Sequence, residues 1–169
     1  ELAVLAVLAL AVVAAAAVFV GWRARRKLAH LRLGAVLVGP QQFPELHALS
    51  EECRQRFGVT KPTNVYVVDF VPSGTPQVAT RGFVLPPYYL IITTAQVNSR
   101  TPEEMRFLLG REYGHILLGH VPVLTIIDTL SGSLGRVPLL GGLTKWIFRG
   151  WARLANYSAD RAGLIAVHH

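Results

Sequence analysis

Leu2 to Val20 carries neither a charged nor a polar side chain. A helix of that length rises about 28 Å, close to the thickness of a bilayer's hydrocarbon core. The pattern therefore predicts a transmembrane helix over residues 1–22, closed by Gly21 and by Trp22, a residue suited to the headgroup level. A buried core helix would show the same run. A cleaved signal peptide would carry its basic residues before the run, whereas here they follow it. With Glu1 rather than Met at the start, residues upstream are expected.

Beyond a break at Gly39-Pro40, Pro44 opens an amphipathic helix with Leu46, Leu49, Cys53 and Phe57 at helical spacing, and Gly58 ends it. Val65 to Phe70 reads as a strand. Phe83 to Thr94 reads as one or two more, interrupted by Pro86-Pro87, and prolines beside a strand point to a sheet edge. Val71 to Pro76 is loop-like in composition. Thr101-Pro102-Glu103-Glu104 is a helix start, with Thr101 as cap and Glu104 completing a capping box; Pro122 places the end of that helix near His120. Val121 to Phe148 is apolar but carries Asp128, Arg136 and Lys145, and predicts a hairpin or pair of short helices against the core or a membrane surface. A last helix is expected from about Ile147 to about Val167. His168-His169 reads as a chain end or tag remnant.

The 169 residues are 51% hydrophobic and only 16% charged, too apolar for a disordered chain. The single cysteine excludes an internal disulfide framework and a cysteine-rich zinc module. On the apolar stripe, it suits a small core residue better than a reactive thiol. The net charge is +7. Arg23, Arg25, Arg26 and Lys27 cluster directly after the apolar run, where anionic lipid headgroups would hold them, and the positive-inside rule puts that end in the cytoplasm. The other basic residues are scattered without an aromatic-interleaved stripe, so nucleic acid is not an expected partner. The expected organisation is a transmembrane helix over 1–22, a basic juxtamembrane linker over 23–40, and a domain over 41–169 that reads as incomplete at its C-terminal end.

Glu112-Tyr-Gly-His115 sits late in the helix that starts at Thr101. A helical zinc site of the H-E-x-x-H kind sets two histidines four apart on one face, with the glutamate between them as general base. Here the first histidine position holds Arg111.

Together these segments resemble the membrane zinc metallopeptidases of the HtpX and CaaX-prenyl-endopeptidase type. The resemblance is carried by Gly39-Pro-Gln-Gln-Phe-Pro-Glu-Leu-His47, Val65-Tyr-Val-Val68 and Leu90-Ile-Ile-Thr-Thr94. It continues through Thr101-Pro-Glu-Glu104, Glu112-Tyr-Gly-His-Ile-Leu-Leu-Gly-His120 and Asn156-Tyr-Ser-Ala-Asp-Arg-Ala-Gly163. It implies a mainly helical α+β, zincin-like metallopeptidase (gluzincin) domain with a small sheet. The last segment resembles the family's E-x-x-A-D-x-x-G, whose glutamate is the third zinc ligand.

In that alignment the ligand positions are Arg111, His115 and Asn156, so one ligand of three survives. The general-base position Glu112 and the supporting Asp160 are retained. The stretch around Ser73-Gly74 departs from the family's Asn-Ala substrate edge. Arginine offers no lone pair and brings positive charge, and asparagine is a poor zinc ligand. Along a continuous helix His120 lies about 140° off the His115 face, so it is expected to cap the helix or bond within the core. The base is intact while two ligands differ, which reads as natural degeneration. Glu112 and Asp160 would be costly as uncompensated buried charges. Arg111 is therefore expected to bond Asp160, Glu112 or Asn156, pinning the two helices as the metal does in relatives.

Three readings follow. The first is a membrane-anchored pseudopeptidase without a cofactor, acting as an accessory or structural subunit among other integral membrane proteins. The second is an active zinc endopeptidase of membrane proteins using Glu112 and His115, with His120 or a residue beyond the C-terminus completing the shell. The third is a lipid-surface or nucleic-acid binder, from the charge alone.

Overall fold

The computed structural model describes residues 34–71, 76–82, 87–134 and 138–168, with Ala11, Val18, Phe19, Gly21, Trp22, Arg23, Arg26 and Ala29 before them; side chains of 130–145 are not described. The span expected over Leu2–Val20 and the Ser73-Gly74 stretch therefore lie outside the described residues, apart from those isolated positions. Among the described residues no helix is long and apolar enough to cross a membrane.

The elements run β1 (Ala35–Leu37), α1 (Pro44–Arg56), β2 (Thr63–Val68), β3 (Val78–Arg81), β4 (Tyr88–Thr93), α2 (Thr94–Ser99), α3 (Pro102–Leu117), α4 (His120–Leu134) and α5 (Pro138–Val167). The fold is mainly helical α+β with one small mixed sheet in the order β1-β2-β4-β3. β2 and β4 pair in parallel, Thr63 opposite Tyr88 through Val68 opposite Thr93. β1 and β3 run antiparallel to β2 and β4 respectively.

Alternate residues of the central strands, Val65, Val67, Leu90 and Ile92, enter a core shared with Leu46 and Cys53 of α1 and Leu109, Tyr113 and Ile116 of α3. Leu90, Ile92 and Leu109 are fully buried, and each such side chain contributes about 1.5–3 kcal/mol. The Ser50 hydroxyl and Tyr113 phenol meet at 2.8 Å inside this core, so neither buried oxygen is left unpaired.

α1 and α3 follow their local signals. Thr101 Oγ1 accepts from the Glu104 amide while the Glu104 carboxylate accepts from the Thr101 amide. Gly58, in the left-handed region at φ 59°, closes α1 by donating to the Gln55 carbonyl. Cys53 is buried, as its place on the apolar stripe suggested.

Four expectations are corrected. The sheet takes in Ala35–Leu37, from the stretch read as linker. Val78–Arg81, read as neither strand nor loop, is the edge strand β3; a run of only four residues shows too little alternation to be seen. β4 is interior rather than an edge, because Pro87 precedes the strand and the first amide needed, that of Tyr88, is free to donate to the Pro62 carbonyl. The last helix begins at Pro138, not near Ile147: proline suits a first helical position, and the Gly141-Gly142 pair weakens a long helix without ending it.

A cluster where a metal would sit

α3 and α5 pack more closely than ordinary side chains would allow. A β-carbon placed on Gly114 would lie 2.5 Å from that of Ala162, and one on Gly110 2.3 Å from that of Ala166. Ala155, Ala159, Ala162 and Ala166 form the buried stripe of α5 that meets these glycines. This approach brings Arg111 and Glu112 within reach of Asn156 and Asp160.

The Arg111 guanidinium donates to all three expected acceptors. Nε lies 2.8 Å from Asp160 Oδ1, Nη1 3.2 Å from Glu112 Oε1 and Nη2 3.0 Å from Asn156 Oδ1. The planar fork suits three acceptors spread around it. Glu112 is 3% exposed. Its second oxygen, Oε2, accepts the backbone amide of Thr80 at 2.6 Å. Burial pushes its carboxyl above the ordinary carboxylate range, against the pull of Arg111 and of the Thr80 amide.

Neither Thr80 nor Thr125 was singled out from the sequence. Thr125 Oγ1 accepts the Gly82 amide at 3.3 Å, and Arg81 reaches Asp128 at 3.8 Å. Thr80 and Gly82 share the side of β3 that faces away from β4. Their outward amides are thus occupied by Glu112 of α3 and Thr125 of α4. An extended peptide adding to this edge would need those donors.

His115 and His120 come together, against the expectation from helical angle. The chain does not continue as one helix: Gly119 adopts φ 71°, Leu118 and Gly119 donate back to Gly114 and Ile116, and His120 opens α4. Pro122 falls in the first turn of that helix, where its missing amide costs no bond. The two Nδ1 atoms are 3.2 Å apart, and the Trp151 ring stands edge-on to His120 at 5.8 Å. Leu117-Leu118-Gly119, an apolar run closed by glycine, was the available sign of the break. Burial, then Arg111 and His120, lower His115 to about 4. His120 is lowered by burial. With both rings neutral, one Nδ1 donates and the other accepts.

The donor set does not fit a catalytic zinc, which takes three protein ligands and a water. Of the three ligand positions only His115 is a good zinc ligand: Arg111 has no lone pair to give, and the neutral Asn156 oxygen is a weak donor that already accepts from Arg111. Glu112 has both oxygens committed, and a guanidinium stands among the oxygens. No group of three His, Cys, Asp or Glu among the described residues is arranged to hold a metal ion.

The model of "Peptidase family M48" matches residues 40–169. Curated relatives include a "Protease HtpX homolog" from Methanocaldococcus jannaschii, 27% identical over 108 residues (64% of this chain, 37% of the relative). Another, from Moorella thermoacetica, is 32% identical over 94 residues, 56% of this chain and 30% of the relative. A third, from Methanothermobacter thermautotrophicus, is 25% identical over 113 residues, 67% and 42% of the two chains. The chain thus spans less than half the length of these relatives. No solved structure matches.

Proposed function

The chain belongs to peptidase family M48, of the HtpX type, and on that footing we propose that it is a pseudopeptidase: a peptidase body whose centre holds two helices together instead of cleaving peptides. One observation carries this reading. The Arg111 guanidinium bridges Glu112, Asn156 and Asp160, so a monovalent organic cation fills the structural role of a metal. Glu112 then serves as an anchoring carboxylate, tied to Arg111 and to the Thr80 amide, rather than as a base aimed at a water.

On the same reading residues 1–22 anchor the chain in a membrane, 23–40 carry the basic cluster and 41–169 form the peptidase-like domain on the cytoplasmic side. Arg23, Arg25, Arg26 and Lys27 meet lipid headgroups. The Arg26 guanidinium stacks 4.4 Å above the Trp22 ring, an arrangement that suits the headgroup level. A protein that keeps such a body without hydrolysis serves by binding. The partners would be other integral membrane proteins, within an assembly in which this chain is an accessory or structural subunit.

A second reading, a zinc endopeptidase using Glu112 as base, is favoured by one feature only, the approach of His120 to His115. Metal analysis of the purified full chain separates the two. The pseudopeptidase reading expects no bound zinc in the parent and stoichiometric zinc in the double variant Arg111→His/Asn156→Glu. Stoichiometric zinc in the parent would overturn it.

A further inference from the structure

The outer side of α5 presents a continuous stripe that no part of the described structure covers. Trp146, Leu154, Tyr157 and Leu164 lie along it at helical spacing, 72%, 68%, 59% and 53% exposed. Interleaved with them are the exposed Arg149, Arg153 and Arg161. None of the three pairs with a carboxylate among the described residues, and α5 has no acidic residue other than Asp160, which is turned to Arg111. A face meant for water would mix both signs of charge and few large apolar groups. This one combines large apolar side chains with a charge of one sign over about 27 Å of helix.

Between α4 and α5 a cleft of about 460 Å³ opens beside the stripe, lined by Ile127 of α4 and by Phe148, Arg149, Ala152, Arg153, Asn156 and Tyr157 of α5. Two guanidiniums beside the apolar Ile127, Phe148 and Ala152 match an anionic headgroup and the first carbons of its chains. Arginine stems lie along apolar surface while their heads reach phosphate, and tryptophan and tyrosine settle where hydrocarbon gives way to headgroups. An acidic protein segment would satisfy the charge. It would leave without a role the apolar side chains that run the whole length of the stripe beside the arginines.

We propose that this face of α5 is a lipid-facing surface, seated on an anionic bilayer with phosphate groups between Arg149 and Arg153. Asn156, a partner of Arg111, also lines this cleft, but the inference stands whether or not the centre is hydrolytic.

The test uses the full chain reconstituted in vesicles of phosphatidylcholine, alone or with about 30 mol% phosphatidylglycerol. Cys53 is buried and its thiol is pushed up to about 11, so a substitution such as Leu154→Cys supplies the reactive thiol. Labelling of Leu154→Cys by a membrane-impermeant maleimide should slow about tenfold in the anionic vesicles and recover at high salt. Thr60→Cys, exposed on the connection between α1 and β2, should label equally in both. Adding Arg149→Glu, Arg153→Glu and Arg161→Glu should abolish the protection, and the corresponding lysine substitutions should keep it. Equal, rapid labelling in both vesicles would overturn the proposal. Equal protection in both vesicles and in detergent would also overturn it, assigning the face to a protein segment or a second copy of the chain.

Discussion

The Arg111 Nε atom stands 2.8 Å from Asp160 Oδ1, one on α3 and the other on α5. That bond spans 49 positions of the chain, and with those to Asn156 and to the buried Glu112 it joins the two helices through a single side chain. Arg111→Ala would leave Glu112 buried without its counter-charge. The expected loss is about 2–4 kcal/mol at neutral pH. It should be smaller at pH 5, where the Glu112 carboxyl, already raised by burial, takes up a proton more easily. Arg111→Lys keeps the charge but not the fork and should fall between. Denaturant unfolding followed by circular dichroism at the two pH values measures all three.

The close approach of α3 to α5 is set by glycine. Gly114→Ala would press a β-carbon against Ala162, a buried neighbour with no room to turn, at a cost of about 1–3 kcal/mol. Gly150→Ala, in α5 but facing open space, should act in the opposite direction and stabilise by about 0.5–1 kcal/mol through helix propensity. Thermal unfolding midpoints that move the same way for both would contradict this account of the packing.

His115 gives the folded chain an acid-sensitive group. Its ring is neutral in the folded state down to about pH 4, whereas in the unfolded chain it takes a proton near 6.5. Between those values the unfolded state binds more protons, so stability falls as pH drops from about 6.5 to about 4 and levels off below. The effect amounts to about 2–3 kcal/mol. His120, lowered as well, acts with the same sign. Glu112, raised, acts in the opposite direction. The ring protons of His115 should titrate near pH 4 by NMR, and the acid loss of stability should shrink in His115→Gln, where Glu112 is unchanged.

The short bond between the Thr80 amide and Glu112 Oε2 should appear in hydrogen exchange. β3 is an edge strand, and an outward amide on an edge ordinarily exchanges fast. Thr80 should be protected instead. In Glu112→Ala its exchange should quicken about 10–100-fold relative to the Ile91 amide on the neighbouring strand, the range expected for losing a charge-assisted bond. Unchanged protection of Thr80 relative to Ile91 would show that the edge is closed by something else.

Much of the molecule is readable from short-range sequence. Helices α1 and α3 announce themselves by apolar spacing, by the Thr101–Glu104 capping box and by the glycine after α1, because each signal acts within a turn or two of the chain. Arg111 and Asn156 at ligand positions predicted a guanidinium partnered by Glu112, Asn156 or Asp160, since a buried carboxylate demands a cation and the motif fixes which residues are neighbours.

What the sequence by itself determined, then, is the helical frame and the guanidinium set among Glu112, Asn156 and Asp160. Only the tertiary structure decided the rest. A left-handed Gly119 ends α3 and carries His120 back to His115. A four-residue strand becomes the sheet edge, its outward amides taken by Glu112 and Thr125. A strand beside two prolines becomes central because its pairing amides begin just after them. The physical reason is common to these cases. Hydrogen bonds between residues tens of positions apart form only when the whole chain is packed, and a single backbone torsion can move a side chain to a different neighbour without altering the hydrophobic pattern that announces the helices.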